Sequence, residues 1–382
     1  MGWLEGWQYR KSHVIEGSPA GAVADYQVRI VAHYGSGSDS GEDVYLNGHA
    51  RVDFGDVRFT LGDGETVLDY WLEEVSEGDY AVFWVKIPSV PASPDAASIY
   101  IYYGKEDAVS ISNGFSTFLQ FDDFNDGVIG AEWTKDEATS GAVTEADGIL
   151  TIYEYEHCYS HLERGLDLNS FEAHVKIKID DRYAGQTWGP GLGVYWSYNT
   201  WVRAQYRWFG SPGECRIYFD RMDSGAGSSD YLSVAEGVWR YFKLAVTPTT
   251  IKCCHSTDGI TWSQLGGDYA RPSSMSGAPS LIIIGKGFGS DAYANPDWDN
   301  SYSSPGTRGY SYLDDYFLRS YIDPEPEHGS WGAEETAAPP EEVKPLYYIE
   351  YGLLEQIVSM VYALVALVVL MMAVSLSVRK LK

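Results

Sequence analysis

The chain has 382 residues, of which 15% are aromatic, with 30 tyrosines, 40 glycines and a formal net charge of −27 at pH 7. So acidic a chain argues against the binding of nucleic-acid backbones, which requires clustered lysine and arginine. Abundant tyrosine and glycine are typical of short β-strands joined by tight turns, and no amphipathic helical pattern precedes residue 346. We therefore expect an all-β architecture.

The first block, residues 1–118, has the period-two pattern of β-strands. Apolar and polar side chains alternate over residues 26–33, 80–87 and 98–103. Turn signals at residues 62–64 and 91–94 separate these segments. The pattern predicts an antiparallel β-sandwich domain.

The second block, residues 119–322, repeats this pattern. Phe242, Leu244 and Val246 share one face of a strand, and Asp258-Gly259 is a dipeptide favoured in two-residue hairpin turns. The surrounding residues 256–262 are similar to the Asp-box of sialidases but lack one residue of its spacing, so an ordinary hairpin is the favoured interpretation. We predict a second, jelly-roll-like antiparallel β-sandwich.

The rest of the chain divides into an acidic, proline-rich stretch at 323–345 and an apolar segment at 346–382. The first buries little apolar surface and is predicted to be an extended stalk. From Ile357 to Val378 no side chain is charged, and at about 1.5 Å per residue this run spans roughly 33 Å, enough to cross a bilayer. We predict a single transmembrane α-helix. A hydrophobic oligomerisation helix in a soluble protein is the alternative.

The charges beside this helix predict its orientation. Arg379, Lys380 and Lys382 follow the apolar run, and lysine and arginine favour the cytoplasmic side of a membrane. We expect the C-terminus in the cytoplasm or in a virion interior. Both sandwiches would then lie outside, at a cell surface or on a viral envelope.

Several segments resemble known families. The residues 6–11 (GWQYRK), 44–60 (VYLNGHARVDFGDVRFT) and 79–88 resemble an uncharacterised domain of unknown function of archaeal and bacterial surface proteins and mobile elements. The second block begins with FDDFND and ends with YLDDYFLRSYIDPEP, and it resembles the concanavalin-like (laminin-G or lectin/glucanase) jelly roll. The first resemblance implies little about function, and the second implies a fold without an activity.

Four cysteines are present, at positions 158, 215, 253 and 254, and none has the CxxC spacing of a zinc site. In an alternating strand Cys215 faces the same way as Ile217 and Phe219. A buried free thiol and a disulfide in an oxidising exterior therefore remain equal alternatives.

Two groups of acidic residues predict a structural calcium site. In jelly rolls of the resembled type the first and last strands are neighbours, so the two groups would converge on one Ca²⁺, which prefers oxygen ligands. The alternative is that these side chains cap turns and face solvent, and a second acidic loop at residues 297–300 is a weaker candidate. The candidate ligands are Asp122, Asp123, Asn125, Asp126, Asp314 and Asp315.

The aromatic segment at residues 188–209 supplies candidate glycan-binding residues. Alternation places Val202, Ala204 and Tyr206 on one face, and we expect the opposite face to be open to solvent. A tryptophan beside arginine and glutamine can stack on a sugar ring and hydrogen-bond its hydroxyls. A polar outer face, or contact with the first sandwich, is the alternative. The candidate residues are Trp201, Arg203, Gln205, Arg207, Arg216 and Tyr218.

Motifs of catalysis are absent from the sequence. The glucanases that resemble the second block carry an E-x-D-x-E strand, and no such string occurs here. Glu172 lies near His174 and is interpreted as a solvated strand residue. We expect a non-enzymatic, membrane-anchored surface protein that displays its sandwiches for adhesion to glycans or a host surface. The alternatives are a self-assembling virion or envelope spike and a membrane-tethered glycan hydrolase.

Overall fold

The computed structural model describes residues 2–137, 141–155, 160–180, 189–208, 215–287, 308–338 and 346–379. The chain forms two units, Met1–Thr336 and Ala337–Lys382. The first unit contains two β-sandwiches built almost entirely from antiparallel strand pairs, and the second contains one long helix. The predicted all-β fold class, with one apolar C-terminal helix, is confirmed.

The first sandwich has one sheet in the order β24-β1-β7-β4, with β25 also on β1, and another in the order β3-β2-β6-β5. Its strands are β1 (Tyr9–Glu16), β2 (Val23–His33), β3 (Asp43–Tyr45), β4 (Arg58–Leu61), β5 (Tyr70–Ser76), β6 (Tyr80–Val90), β7 (Ala96–Tyr103), β24 (Glu327–Trp331) and β25 (Glu335–Thr336).

The core of the first sandwich follows from the alternation in the sequence. In β2 and β6, Ile30 lies opposite Phe83 and Val28 opposite Val85, and these side chains are buried. The strands β1 and β7 supply the facing layer, including Ile15 and several residues of the predicted strand at 98–103. Period-two patterning therefore predicted this core correctly.

The C-terminal strands β24 and β25 contradict part of the predicted stalk at 323–345. Both pair antiparallel with β1, so residues 327–336 belong to the first sandwich. Trp331 stacks on buried His13 with ring centroids 3.7 Å apart, and Glu335 forms an ion pair with Arg10 at 2.7 Å. The Glu335 carboxylate thus has a partner that lies 325 residues earlier in the chain.

The second sandwich has a nine-stranded sheet in the order β10-β11-β23-β13-β18-β19-β20, with β8 on β23 and β21 on β19, and a seven-stranded sheet in the order β17-β16-β15-β14-β22-β12-β9. A short helix α1 (Gly114–Thr117) leads into it. Its strands are β8 (Gln120–Asp122), β9 (Thr134–Glu137), β10 (Ala142–Ala146), β11 (Ile149–Tyr155), β12 (Ser160–Gly165), β13 (Phe171–Ile179), β14 (Gly191–Ser197), β15 (Thr200–Trp208), β16 (Cys215–Asp223), β17 (Ala226–Val234), β18 (Arg240–Val246), β19 (Thr250–Ser256), β20 (Ser263–Gln264), β21 (Tyr269–Ala270), β22 (Leu281–Lys286) and β23 (Arg308–Arg319).

The core between these two sheets contains Phe242, Leu244 and Val246, as predicted. Cys215 and Cys253 are buried in the same core as free thiols, and Cys254 is free as well, so the free-thiol alternative holds for the described cysteines. Cys158 lies outside the described residues. The predicted hairpin at Asp258 joins β19 to β20.

An aromatic seam joins the two sandwiches. Five buried rings from both sandwiches form one cluster, and Phe118 stacks on Phe317 with centroids 4.4 Å apart. Beside it the fully buried Gln27 of β2 donates to the Thr117 carbonyl and accepts from the Ser320 amide. Apolar contact with matched hydrogen bonds fixes one sandwich on the other. The seam residues are Trp71, Trp84, Phe118, Phe121 and Phe317.

The second unit contains the helix α2 (Leu346–Arg379). Its segment Gly352–Leu376 has 25 residues and a mean hydropathy of 2.8. At about 1.5 Å per residue this segment is roughly 38 Å long, which exceeds a bilayer's hydrocarbon core. By length and composition, the helix is able to cross a membrane.

Candidate functional site

The non-core face of the seven-stranded sheet brings together the candidate glycan-binding residues. Alternation along β15 puts Val202, Ala204 and Tyr206 into the core, as predicted. Across β15 and β16, Arg203 lies opposite Asp220, and Gln205 opposite Tyr218. We call this surface the arginine face. It consists of Trp201, Arg203, Gln205, Arg207, Arg216, Tyr218 and Asp220.

The expectation that this face is open to solvent is wrong. Trp201 is 1% exposed, Arg203 3% and Gln205 1%. The Trp201 ring packs with Tyr195 and other apolar side chains in a small separate cluster. The Arg203 guanidinium lies over this ring, 3.7 Å from its centroid. The Trp201 ring is therefore not available to stack on a sugar.

Each arginine of this face lies against an aromatic ring. Besides Arg203 on Trp201, the guanidinium of Arg207 is 4.3 Å from the Tyr218 ring centroid, and that of Arg216 is 4.7 Å from the Tyr231 centroid. A guanidinium stacked on a ring is held in a defined plane and keeps its N–H groups directed sideways. The face is thus a set of oriented hydrogen-bond donors.

Asp220 is the carboxylate at the centre of this arrangement. Its carboxylate forms an ion pair with Arg207 at 2.7 Å and accepts a hydrogen bond from Gln205. Burial raises the pKa of Asp220, and the Arg207 charge opposes that shift without cancelling it. A buried carboxyl group with a raised pKa is a group suited to proton transfer.

One end of the arginine face reaches solvent. Tyr231 on the edge strand β17 is 56% exposed and lies 5.2 Å from Tyr218, between centroids. Arg207 and Arg216 are only partly buried there. Sequence reasoning missed Tyr231, because its segment carries no aromatic or charged pattern; the only signal is a tyrosine at the alternating position of an otherwise polar strand. We call Arg207, Arg216 and Tyr231 the open end.

Glycine makes room for the arginine face on the neighbouring strand. Gly193 of β14 pairs with Arg203, and a Cβ atom at Gly193 would lie 2.7 Å from the Tyr195 ring and 3.3 Å from the Arg203 side chain. A side chain at this position would displace the Tyr195 ring and press against Arg203. Glycine inside a strand often marks such a close approach.

The predicted calcium ligands are partly brought together. Strand β8 pairs with β23, which places Asp122 opposite Tyr316, so the first and last strands are neighbours as expected. However, Asp122 accepts hydrogen bonds from the Trp133 indole and the Phe124 amide, and Asp314 forms an ion pair with Lys176 at 2.6 Å.

The remaining predicted ligands also have local partners. Asp123 accepts from the Asn125 amide and Asp126 from the Val128 amide. Asp315 follows Asp314 at a β-bulge, where both lie opposite Lys176. Within the described ranges no group of three or more acidic, histidine or cysteine side chains is arranged to hold a metal ion. Calcium binding stays a prediction, and the loop at 297–300 lies outside the described residues.

Glu172, interpreted as a solvated strand residue, is 2% exposed. It accepts hydrogen bonds from His174 at 2.6 Å and Arg319 at 2.8 Å, and Lys243 is 3.3 Å away. Burial opposes ionisation of Glu172, but the charges of Arg319 and Lys243 hold its pKa well below the usual value. Sequence spacing could not show this because the basic partners come from other strands.

The comparisons with known proteins concern a part of the chain and its fold. A family model described as a domain of unknown function, DUF2341, matches residues 53–136, which agrees with the resemblance of the first block. No curated protein matches the chain.

Solved structures are similar to this chain at low sequence identity. The GH43 protein BlXynB from Bacillus licheniformis is 14% identical over 67% of this chain and 46% of its own length, with a TM-score of 0.40. A xylan β-1,4-xylosidase from Bacillus halodurans is 13% identical over 65% of this chain and 52% of its own, with a TM-score of 0.42. The catalytic domain of an endo-1,3-β-glucanase (laminarinase) from Thermotoga petrophila is 13% identical over 55% of this chain and 98% of its own length, with a TM-score of 0.39. The chain thus spans about half the length of the first two.

These comparisons correct the expectation of a non-enzymatic adhesion protein. The similar structures are named as a GH43 protein, a xylosidase and a laminarinase, and the expectation of a non-enzymatic protein is therefore withdrawn. The likeness concerns the fold and assigns neither an activity nor a residue to this chain.

Proposed function

We propose that this protein is a membrane-tethered, glycan-acting protein that holds a saccharide chain at the open end of the arginine face. The observation that carries the proposal is the combination, on adjacent strands, of the exposed Tyr231 ring with the ring-stacked guanidinium groups of Arg207 and Arg216. A sugar ring has one apolar face and a rim of hydroxyls. Aromatic surface beside oriented donors matches both.

The cost of building this face supports a functional role. Moving arginine, glutamine and aspartate side chains out of water is unfavourable unless they are well paired. An apolar layer would stabilise the sheet as well, yet the chain keeps Arg203, Gln205 and Asp220 at positions that are at least 97% buried. Polar groups retained at such positions are typical of sites that recognise or transform a ligand.

The C-terminal helix supplies the tether. Its length and hydropathy suffice to cross a bilayer, and the basic residues Arg379, Lys380 and Lys382 at its end favour a cytoplasmic C-terminus. Both sandwiches would then act on glycans outside the membrane. Protease treatment of sealed vesicles tests this orientation: cleavage of the sandwiches from outside supports it, and their protection contradicts it.

Binding is tested with the full chain in lipid nanodiscs and two soluble neutral glycans, xylan and laminarin. We expect measurable binding by isothermal titration, weakened at least tenfold by Tyr231→Ala and by Arg216→Ala. The matched control is Phe115→Ala, since Phe115 is 63% exposed in α1, far along the chain from this face. Equal binding by all four proteins, or none by the wild type, contradicts the proposal.

Hydrolysis of the bound glycan is the second candidate function. It is favoured by the position of Asp220, 2.7 Å from Arg207 of the open end, together with the raised pKa of its buried carboxyl group. Asp220 would give its proton to the glycosidic oxygen as the bond to the anomeric carbon breaks. Water adds its hydroxyl to that carbon, and the proton released from water restores the Asp220 carboxyl group.

Release of reducing ends from xylan and laminarin measures this activity. General acid catalysis contributes about 10²–10⁴ in rate, so we expect Asp220→Asn to lose at least a hundredfold of the rate while it keeps glycan affinity. An Asp220→Asn protein with wild-type turnover contradicts the assignment.

A further inference from the structure

A second aromatic surface lies on the non-core face of the nine-stranded sheet. It runs across four adjacent strands or their ends, from β11 through β23 and β13 to the start of β18. Each of its side chains is partly exposed. We call it the tyrosine–lysine strip. It consists of Tyr153, Tyr310, Tyr312, Lys178, Trp239, Lys176 and Tyr241.

The rings and ammonium groups of this strip form a continuous series of contacts. The Tyr153 ring is 5.0 Å from Tyr310, which is stacked with Tyr312 at 6.5 Å and an interplanar angle of 12°. The Lys178 ammonium group lies 5.0 Å from the Tyr312 ring and 4.9 Å from the Trp239 ring.

Lys176 continues the series toward the first sandwich. Its ammonium group is 5.3 Å from the Trp239 ring and 5.8 Å from the Tyr241 ring. Adjacent strands are about 4.8 Å apart, so four strands extend the series over roughly 14 Å. Rings that contact one another and stay partly exposed over this distance form a platform, whereas scattered surface aromatics do not.

We infer that the tyrosine–lysine strip binds an extended neutral polysaccharide chain, at a site separate from the open end of the arginine face. Tyrosine and tryptophan rings supply flat apolar surface for successive sugar rings, and the ammonium groups donate to hydroxyls. The strip runs diagonally across the strands, because it steps from Tyr310 to Tyr312 along β23 and from Lys178 to Lys176 along β13. An extended chain that follows this diagonal contacts the rings in sequence.

The surrounding charge selects a neutral chain. At the Tyr241 end a cavity of about 290 Å³ is lined by four acidic residues, Glu73, Glu74, Asp258 and Asp315, and by two basic ones, Arg29 and Lys176. The Lys176 charge is also paired with Asp314 at 2.6 Å. Burial raises the pKa of Asp315 well above its usual value, but Glu73, Glu74, Asp258 and Asp314 still outnumber Arg29 and Lys176. A chain of uronic acids or sulfated sugars would therefore meet net negative charge at this end, and like charges repel.

The proposal is tested on the full chain in nanodiscs with laminarin, a neutral glucan, and polygalacturonate, an acidic glycan. We expect Trp239→Ala and Lys178→Ala each to weaken laminarin binding at least fivefold, with polygalacturonate bound at least tenfold more weakly than laminarin by the wild type. Lys178→Ala removes only a partly exposed ammonium group, so a folding defect in Trp239→Ala does not decide the result.

Variants of the two surfaces separate this inference from the proposed function. Tyr231→Ala affects only the arginine face, so the strip variants are also titrated in the Tyr231→Ala background, where the laminarin that still binds is held by the strip. Laminarin affinity unchanged in both strip variants overturns the inference and leaves the arginine face untouched. A preference for polygalacturonate overturns the inference too. So does a light-scattering result in which the wild type is a dimer and Trp239→Ala a monomer, since the strip would then be an interface between two copies of the chain.

Discussion

Two regions of the second sandwich bury charged side chains in opposite ways. Beside the aromatic seam, Glu172 is surrounded by Arg319, Lys243 and His174, and the Arg319 guanidinium also reaches Glu325 at 2.7 Å. On the arginine face, guanidinium groups lie on aromatic rings with one central carboxylate, Asp220.

The difference shows that burial of charge alone does not mark a site. The Glu172 cluster closes on itself: its groups are paired with opposite charges, and Tyr26 of the first sandwich also donates to Glu325 at 2.7 Å. Such a cluster orients two domains. On the arginine face the guanidinium groups are instead held flat on aromatic rings that lead to the exposed Tyr231.

The largest expected effect is on the seam. Trp84→Ala removes a buried ring that lies 5.3 Å from Phe317 and 6.0 Å from Phe118. Loss of a buried aromatic side chain costs about 3–5 kcal/mol of unfolding free energy, measured by chemical denaturation. Val128→Ala serves as the control with a change below about 0.5 kcal/mol, since Val128 is 65% exposed. A stable Trp84→Ala protein would show that the seam is not what joins the sandwiches.

The second effect is a loss of stability in acid. Burial lowers the pKa of His174 to about 4 and that of His13 to about 3, so the unfolded chain takes up these protons at a higher pH than the folded chain does. Stability therefore falls as the pH drops from about 6.5 toward 4, by up to about 1.4 kcal/mol per pH unit for each histidine.

The depressed pKa of Glu172 adds a loss in the same direction below its unfolded value. Thermal unfolding at pH 7, 5.5 and 4.5 measures the slope. We expect His174→Phe to flatten it between pH 6.5 and 4. An equal slope in wild type and variant would show that protonation of His174 does not cause the loss of stability in acid.

The third effect is a loss of stability and glycan affinity when the close approach at Gly193, beside the arginine face, is filled. Gly193→Ala places a methyl group 2.7 Å from the Tyr195 ring and 3.3 Å from Arg203, which should cost about 1–3 kcal/mol by overpacking. Glycan affinity should fall with it, because the Tyr195 ring must move and Trp201, which packs on it, lies beneath Arg203. Gly267→Ala is the matched control, since nothing lies within 4 Å of a Cβ atom there. Equal stability of the two variants would mean that Arg203 does not need this close approach.

The smallest effect on stability is expected at the open end. Tyr231→Ala removes a ring that is 56% exposed, and such surface substitutions stay within about 0.5 kcal/mol. Its glycan affinity should nevertheless fall at least tenfold. This separation of stability from binding is the opposite of what we expect at Trp84, and a destabilised Tyr231→Ala protein would place Tyr231 among structural residues.

The sequence predicted what depends on near neighbours. Alternation assigned Val202, Ala204 and Tyr206 to the core, and the Asp258 hairpin and the apolar helix follow from a few adjacent residues. These features are local because side-chain period and turn chemistry are properties of short segments.

What the sequence did not predict depends on distant contacts. Whether Trp201 faces solvent or packs with Tyr195 and Met222 is decided by other strands. Likewise, Glu335 lies in a strand only because its segment pairs with β1 and its carboxylate forms an ion pair with Arg10. The open end depends on the contact between Tyr231 of β17 and Arg216 of β16. The register of these two neighbouring strands creates that contact, and neither segment alone encodes it.

Hydrogen exchange of the full chain in nanodiscs, with and without xylan, tests the placement of the glycan most directly. We expect slower amide exchange in Cys215–Asp223 and Ala226–Val234 on adding xylan, and unchanged exchange in the strands that carry Trp71 and Trp84. Unaltered exchange in β16 and β17 under saturating xylan, or protection confined to the seam, would contradict it.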